Sequence, residues 1–189
     1  MRVAYTALLC DTSGSMAEEM EGFEGRMVPK IEALKEAIEV LLLYKREKHP
    51  LDKVGCVTFN TRARVLFLLS DPANPSLISK IRSLTPEGKT NLSEALELGI
   101  DLLSKTPKGF LKVMYLFSDG CPNIRTRQVL PLARMAKRLR INIHSIGIGD
   151  GLSSFDEELL KKIARATHNG RYQHCRTLGE LLWALRSIR

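Results

Sequence analysis

The sequence predicts an α/β fold: a doubly wound, mostly parallel six-stranded sheet with one antiparallel edge strand and helices on both faces. Two observations carry that expectation. Short apolar runs alternate along the chain with stretches whose apolar residues recur at helical spacing, the pattern of parallel strands joined by crossover helices. The second and third apolar runs are separated by only four residues, 60 to 63, whereas a parallel crossover needs a dozen or more, so this pair is antiparallel and lies at an edge.

Taken in order, Ala4 to Cys10 is the first strand, apolar enough to be buried on both faces. Val28 to Lys48 reads as a helix because Ile31, Leu34, Ala37, Ile38, Leu41 and Leu42 fall on one stripe. Val54 to Phe59 is a strand and Arg64 to Leu69 its antiparallel neighbour. Leu77 to Leu84 is a short helix and Leu92 to Ser104 a longer one. Lys112 to Phe117 is a strand, Arg127 to Leu139 a helix, Asn142 to Ile148 a strand. Phe155 to Thr167 reads as helix, Gly170 to His174 as a short strand, and Leu178 to Ile188 as a closing helix. Trp183 is read there as part of the core stripe with Leu178, Leu181, Leu182, Leu185 and Ile188.

The junctions after these strands hold the chemistry. Leu8-Leu9-Cys10-Asp11-Thr12-Ser13-Gly14-Ser15-Met16 ends a buried strand on one carboxylate and two hydroxyls at alternate positions. Residues i, i+2 and i+4 of an extended segment point the same way, and Gly14 permits the turn, so Asp11, Ser13 and Ser15 can converge on one small object. Hard oxygen donors suit Mg²⁺ or Mn²⁺, and no thiolate or imidazole stands at a spacing that suggests zinc. Two later loops add donors of the same kind: Pro86-Glu87-Gly88-Lys89-Thr90-Asn91, opening a helix, and Ser118-Asp119-Gly120, following a strand. Such junctions lie beyond the carboxyl ends of the strands, where open α/β sheets gather functional groups.

The set Asp11, Ser13, Ser15, Thr90 and Asp119 resembles the metal-ion-dependent adhesion site of von Willebrand factor type A domains, whose pattern of D-x-S-x-S, a Thr and a D-G is complete here. The resemblance covers essentially the whole chain and implies a Rossmann-like sheet. It implies that Ser13, Ser15 and Thr90 are hydroxyl ligands of Mg²⁺ or Mn²⁺, with Asp11 and Asp119 as carboxylate partners. Neutral hydroxyls leave the ion electrophilic, so a carboxylate from a partner can complete its shell. It further implies a protein-interaction module rather than an enzyme. The partner would supply an Asp or Glu, and the chain would act as an adaptor or scaffold in a multi-protein or AAA-type ATPase-linked assembly. Specificity would come from the loops Ala17 to Met27, Glu87 to Thr90 and Cys121 to Thr126.

Composition bounds the alternatives. At 189 residues, 44% hydrophobic and 26% charged, the chain suits a single domain over 1–189 with one sizeable core. Met1-Arg2 lead directly into the first strand and no apolar run approaches the ~18 residues of a membrane span, so the expected location is cytoplasmic. Cys10, Cys56, Cys121 and Cys175 form no C-x-x-C pair and read as reduced core or near-core thiols. His49, His144, His168 and His174 lack ligand spacing and read as surface or satisfied core residues. Gly88-Lys89-Thr90 is not a phosphate-binding loop, because Ser83 stands where its first glycine belongs, and Gly147-Ile148-Gly149-Asp150-Gly151 reads as a turn because Leu152 replaces the third glycine of a dinucleotide fingerprint.

Charge is unevenly placed. Of 29 basic and 21 acidic residues, residues 1–60 hold 8 and 10, so 21 and 11 remain for the rest. Arg125, Arg127, Arg134, Lys137, Arg138 and Arg140 cluster in and after the helix that follows Asp119, and Arg125 and Arg127 are expected close to the metal end of the sheet, where a basic rim would steer an acidic segment to the ion. The alternative is a nucleic-acid-associated subunit using that basic face, although few aromatics are interleaved with it. A metal-dependent hydrolase is the third class; it needs a base or nucleophile beside the ion, for which Cys121 and Lys89 are the candidates. The segment Ala17 to Met27 carries Glu18, Glu19, Glu21 and Glu24 and two glycines, and reads as a pliable acidic loop, one of whose glutamates could fill the open position.

Overall fold

The computed structural model describes residues 3–119, 124, 126–149 and 156–187. Its elements, in chain order, are β1 (Ala4–Asp11), β2 (Glu19–Glu21), β3 (Met27–Pro29), α1 (Lys30–Lys48), β4 (Lys53–Phe59), β5 (Ala63–Ser70), α2 (Ser76–Arg82), α3 (Leu92–Ser104), β6 (Leu111–Ser118), α4 (Val129–Arg138), β7 (Ile141–Ile148), α5 (Glu157–Arg165), β8 (Tyr172–Cys175) and α6 (Leu178–Ser187). The main sheet has six strands in the order β5-β4-β1-β6-β7-β8. Every pairing in it is parallel except β4 with β5. The expected architecture is therefore the observed one, including the antiparallel edge.

The alternation of side chains along β1 divides the core between two faces. Leu8 and Cys10 pack with Leu34, Ile38, Leu181 and Leu185 of α1 and α6 on one face. Ala7 and Leu9 pack with Leu96, Ala133 and Ile163 of α3, α4 and α5 on the other. All eight residues of β7 are buried, its polar Ser145 and His144 included, and these two are hydrogen-bonded to the Leu160 carbonyl and the Arg171 N–H. Each large side chain so buried contributes about 1.5–3 kcal/mol, before the entropy of ordering it is set against the gain. Cys10, Cys56 and Cys175 are buried free thiols, the first two with sulfurs 3.8 Å apart; Cys121 lies outside the described residues. No helix among the described residues is long and apolar enough to cross a membrane.

Three expectations need correction. The helix expected from Val28 begins at Lys30, because Met27–Pro29 instead pairs antiparallel with Glu19–Glu21. The segment read as a pliable loop is accordingly a short hairpin, whose turn places Glu24 and Gly25 at φ 55° and 73°. Trp183 is 64% exposed while Leu178, Leu181 and Leu185 are buried. The reason is helical phase: residue 183 lies roughly 200° around the axis from 181, so it cannot share that stripe.

Candidate functional site

The carboxyl ends of β1, β4 and β6 lie side by side, with Asp11 opposite Phe59 and Cys10 opposite Phe117. This register brings Asp11 next to Ser118 and Asp119 without any special loop. Asp11 is fully buried, and both its oxygens are occupied: Oδ1 accepts from the Ser13 backbone N–H at 2.8 Å and Oδ2 from Ser118 Oγ at 2.7 Å. Ser15 Oγ donates to Asp119 Oδ1 at 2.8 Å and lies 3.2 Å from Ser13 Oγ. Ser15 thus joins the Ser13 hydroxyl to the Asp119 carboxylate, and Asp11, bonded to the Ser13 backbone, braces the segment.

The Thr90 loop is held against this cluster by backbone bonds rather than by chance proximity. Gly14 N–H donates to the Gly88 carbonyl at 3.0 Å, Glu87 N–H to Thr12 at 2.7 Å, and Asn91 N–H to Asn60 at 2.8 Å. Gly88 has φ 74°, and a Cβ there would stand 2.7 Å from Thr61 Oγ1, so only glycine fits this crossing. Asn91 then caps α3 by accepting from Glu94 N–H. Thr90 itself is buried.

Electrostatics distinguish the two carboxylates. Burial pushes Asp11 up to about 7, against the lowering effect of its Ser13 and Ser118 hydrogen bonds; nearby Asp119 adds to the rise. Asp119 has a cation of its own. The Lys30 ammonium, 3% exposed, lies 3.0 Å from Asp119 Oδ2 and 2.6 Å from Glu18 Oε2. Burial pulls the lysine pKa down, but the hydrogen bonds and charges of Glu18 and Asp119 outweigh it and raise it, so the group stays protonated. Gly149, at φ 123°, makes room for it: a Cβ there would come within 3.0 Å of Lys30 Cε.

Of the sequence candidates, Asp11, Ser13, Ser15 and Asp119 are linked by direct hydrogen bonds, and Thr90 sits on the loop pinned to theirs. Lys30 is not among those candidates, and Glu18 enters the sequence reading only as one of four glutamates of its segment and Ser118 only as the neighbour of Asp119. Lys30 had a readable signal, since it is in phase with the apolar stripe Leu34, Ile38 and Leu41 of its helix, an odd place for a cation. Among the described residues no three His, Cys, Asp or Glu cluster, so the donor set is one of hydroxyls and carboxylates. That chemistry fits a hard divalent cation and not zinc. His144 is a satisfied core residue, its Nδ1 accepting from Arg171 N–H and its pKa lowered by burial to about 4. Of the hydrolase candidates, Lys89 is exposed and Cys121 lies outside the described residues.

The model for the von Willebrand factor type A domain matches residues 7–182. The chain belongs to this family. It is a family of protein-interaction modules, generally without enzymatic activity. An uncharacterized protein of Synechocystis sp., sll0103, is 25% identical over 184 residues, 96% of this chain but 40% of its own length. This chain thus spans about 40% of the curated relative it matches. The von Willebrand factor type A protein from Catenulispora acidiphila superposes with a TM-score of 0.80 at 20% identity, over 98% of this chain and 41% of that one. The SpRpn10 VWA domain does so with a TM-score of 0.75 at 18% identity, over 98% and 94%. These two likenesses establish the fold.

The basic cluster spreads along α4 and beyond it rather than gathering at one end of the sheet. Helix α4 runs back from the carboxyl to the amino end of the sheet, so Arg138 and Arg140 lie next to Ile141, which pairs with Lys112 at the strand starts. Arg134 and Lys137 join Lys162 and Arg165 around a concavity of about 550 Å³ between α4 and α5. Arg138 and Arg140 join Lys108, Lys112 and Phe110 around a second of about 440 Å³. Arg127 is exposed on the turn before α4, and Arg125 lies outside the described residues.

Proposed function

We propose that the carboxyl end of the sheet is a divalent-cation-dependent adhesion site that receives an Asp or Glu side chain of a partner protein. The observation that carries this is that Ser15 Oγ lies 3.2 Å from Ser13 Oγ and donates to Asp119 Oδ1 at 2.8 Å, beside a buried Asp11 whose own oxygens are already satisfied. Ser13, Ser15 and Thr90 would hold Mg²⁺ or Mn²⁺ by their hydroxyls, Asp119 by its carboxylate, and Asp11 would position the Ser13 segment. When bound, the ion supplies an electrophilic position that an incoming carboxylate completes. On this reading the chain is a single module and an adaptor or scaffold. An AAA-type ATPase is a candidate partner by analogy with its family.

The test is thermal unfolding of the wild type and Ser13→Ala in EDTA, Mg²⁺, Mn²⁺ and Ca²⁺. An ion that binds the native state alone raises its stability by about 2.7 kcal/mol at a hundredfold excess over Kd. A rise confined to the wild type is expected. No rise at millimolar ion in either protein would refute the reading.

The two basic concavities support a second reading, binding of a polyanion such as a nucleic acid. That interaction would weaken steeply with salt and ignore chelator, the opposite of the adhesion site.

A further inference from the structure

We propose that Lys30 is a tethered cation that sets the ion affinity of the adhesion site, and that Glu18 governs how strongly it does so. This rests on the divalent-cation reading above. Lys30 is the first residue of α1 and its side chain is 4% exposed, yet its ammonium sits beside the hydroxyl cluster because Asp119 holds it. Asp119 is thereby divided: Oδ1 takes the Ser15 hydroxyl and Oδ2 takes Lys30. A second cation brought to Ser13, Ser15 and Asp119 must share this carboxylate with a fixed positive charge, and like charges a few ångströms apart disfavour each other.

Glu18 opposes that effect. Its carboxylate, 55% exposed, lies 2.6 Å from the same ammonium, closer than Asp119 does. Its carbonyl also accepts from Lys30 N–H at 2.8 Å, so backbone and side chain of residue 18 are both clasped by Lys30. Glu18 neutralises charge that would otherwise fall wholly on Asp119. Because it directly precedes β2, ion occupancy and the anchoring of the hairpin draw on one set of charges, and by linkage each must influence the other. The acidic segment thus acts on the site through Lys30.

The two residues predict effects of opposite sign. Lys30→Met, which keeps length and removes charge, should bind Mn²⁺ about tenfold more tightly than the wild type by calorimetry. Glu18→Gln should bind it several-fold more weakly. A merely structural role would weaken both variants. Tight binding by Lys30→Met where the wild type binds weakly or not at all supports the proposal. Equal or weaker binding by Lys30→Met, with normal binding by the wild type, overturns it and leaves the adhesion-site reading standing. Absence of Mn²⁺ binding in both overturns both. Should Lys30→Met fail to fold, Lys30→Gln, which removes the charge but can still hydrogen-bond to Asp119 and Glu18, is read in the same way: tighter binding than the wild type supports the proposal, and equal or weaker binding overturns it.

Discussion

Helix α1 carries a buried lysine near each end, and the two are not equivalent. Lys45, in the last turn, donates to Asp52 Oδ2 at 2.7 Å, and Asp52 Oδ1 accepts from Ala4 N–H at 2.8 Å. Both carboxylate oxygens are thus spent inside the fold, tying the helix and the turn after it to the start of β1. Lys30, in the first turn, meets one buried carboxylate and one half-exposed one, and the buried partner gives its other oxygen to a serine hydroxyl. The same ion-pair chemistry is a brace where all its atoms end in the fold, and a site where it ends in a hydroxyl and a solvent-facing acid.

Removing half of the brace should have the largest effect. Asp52→Ala leaves Lys45 buried without its partner and the Ala4 N–H without its acceptor, which costs about 3–5 kcal/mol. Denaturant unfolding should show that loss equally in EDTA and in Mn²⁺. A loss that Mn²⁺ repairs would mean the two ends of α1 are not independent.

Next in size is the pH response of Asp11. Its folded pKa of about 7 exceeds the unfolded carboxylate value, so the folded state holds the proton more tightly. Stability from this group is full below about pH 4 and is lost as pH rises to about 7, by on the order of 4 kcal/mol. Asp11→Asn, neutral at every pH, should therefore be more stable than the wild type in EDTA at pH 7.5 and lose that advantage at pH 4.5. An ion at the site should displace the proton, so the wild type in Mn²⁺ should show a smaller decline over the same range.

A smaller change is expected at Asp119. Asp119→Ala should abolish ion-linked stabilisation, about 2.7 kcal/mol at a hundredfold excess of ion, with near-native circular dichroism. Lys30 keeps Glu18 in this variant, so the loss in EDTA should be less than that of Asp52→Ala.

Most of the site was legible because it is local. Asp11, Ser13 and Ser15 lie within five residues, although the end of β1 and the 3-10 turn at Gly14–Ala17 bring them together rather than the expected extended run, and Asp119 directly follows the strand beside β1. The antiparallel edge was legible in the same way, from the short link between β4 and β5. What escaped was tertiary. No spacing tells that Lys30 reaches past Gly149 to Asp119, 89 residues away. The hairpin was hidden because three-residue strands carry too little pattern to outweigh the adjacent helix signal. The basic cluster was read correctly as a cluster, but sequence adjacency to Asp119 does not fix distance when a helix runs the length of the sheet.

That cluster gives the smallest expected stability change and the sharpest contrast with Lys30. Arg134 and Arg165 are exposed and have no ion pair among the described residues, so their charge is screened and contributes little to folding. Arg134→Ser with Arg165→Ser should change stability by less than about 0.5 kcal/mol. Mn²⁺ affinity should not move, because both cations are exposed, touch none of the site residues among the described contacts and are screened by solvent. If the concavity receives a polyanion, the same double variant should flatten the salt dependence of single-stranded DNA binding by about 1.4 units of slope. The buried lysine would then be shown to act at contact range on one ion, and the exposed arginines at a distance on many phosphates.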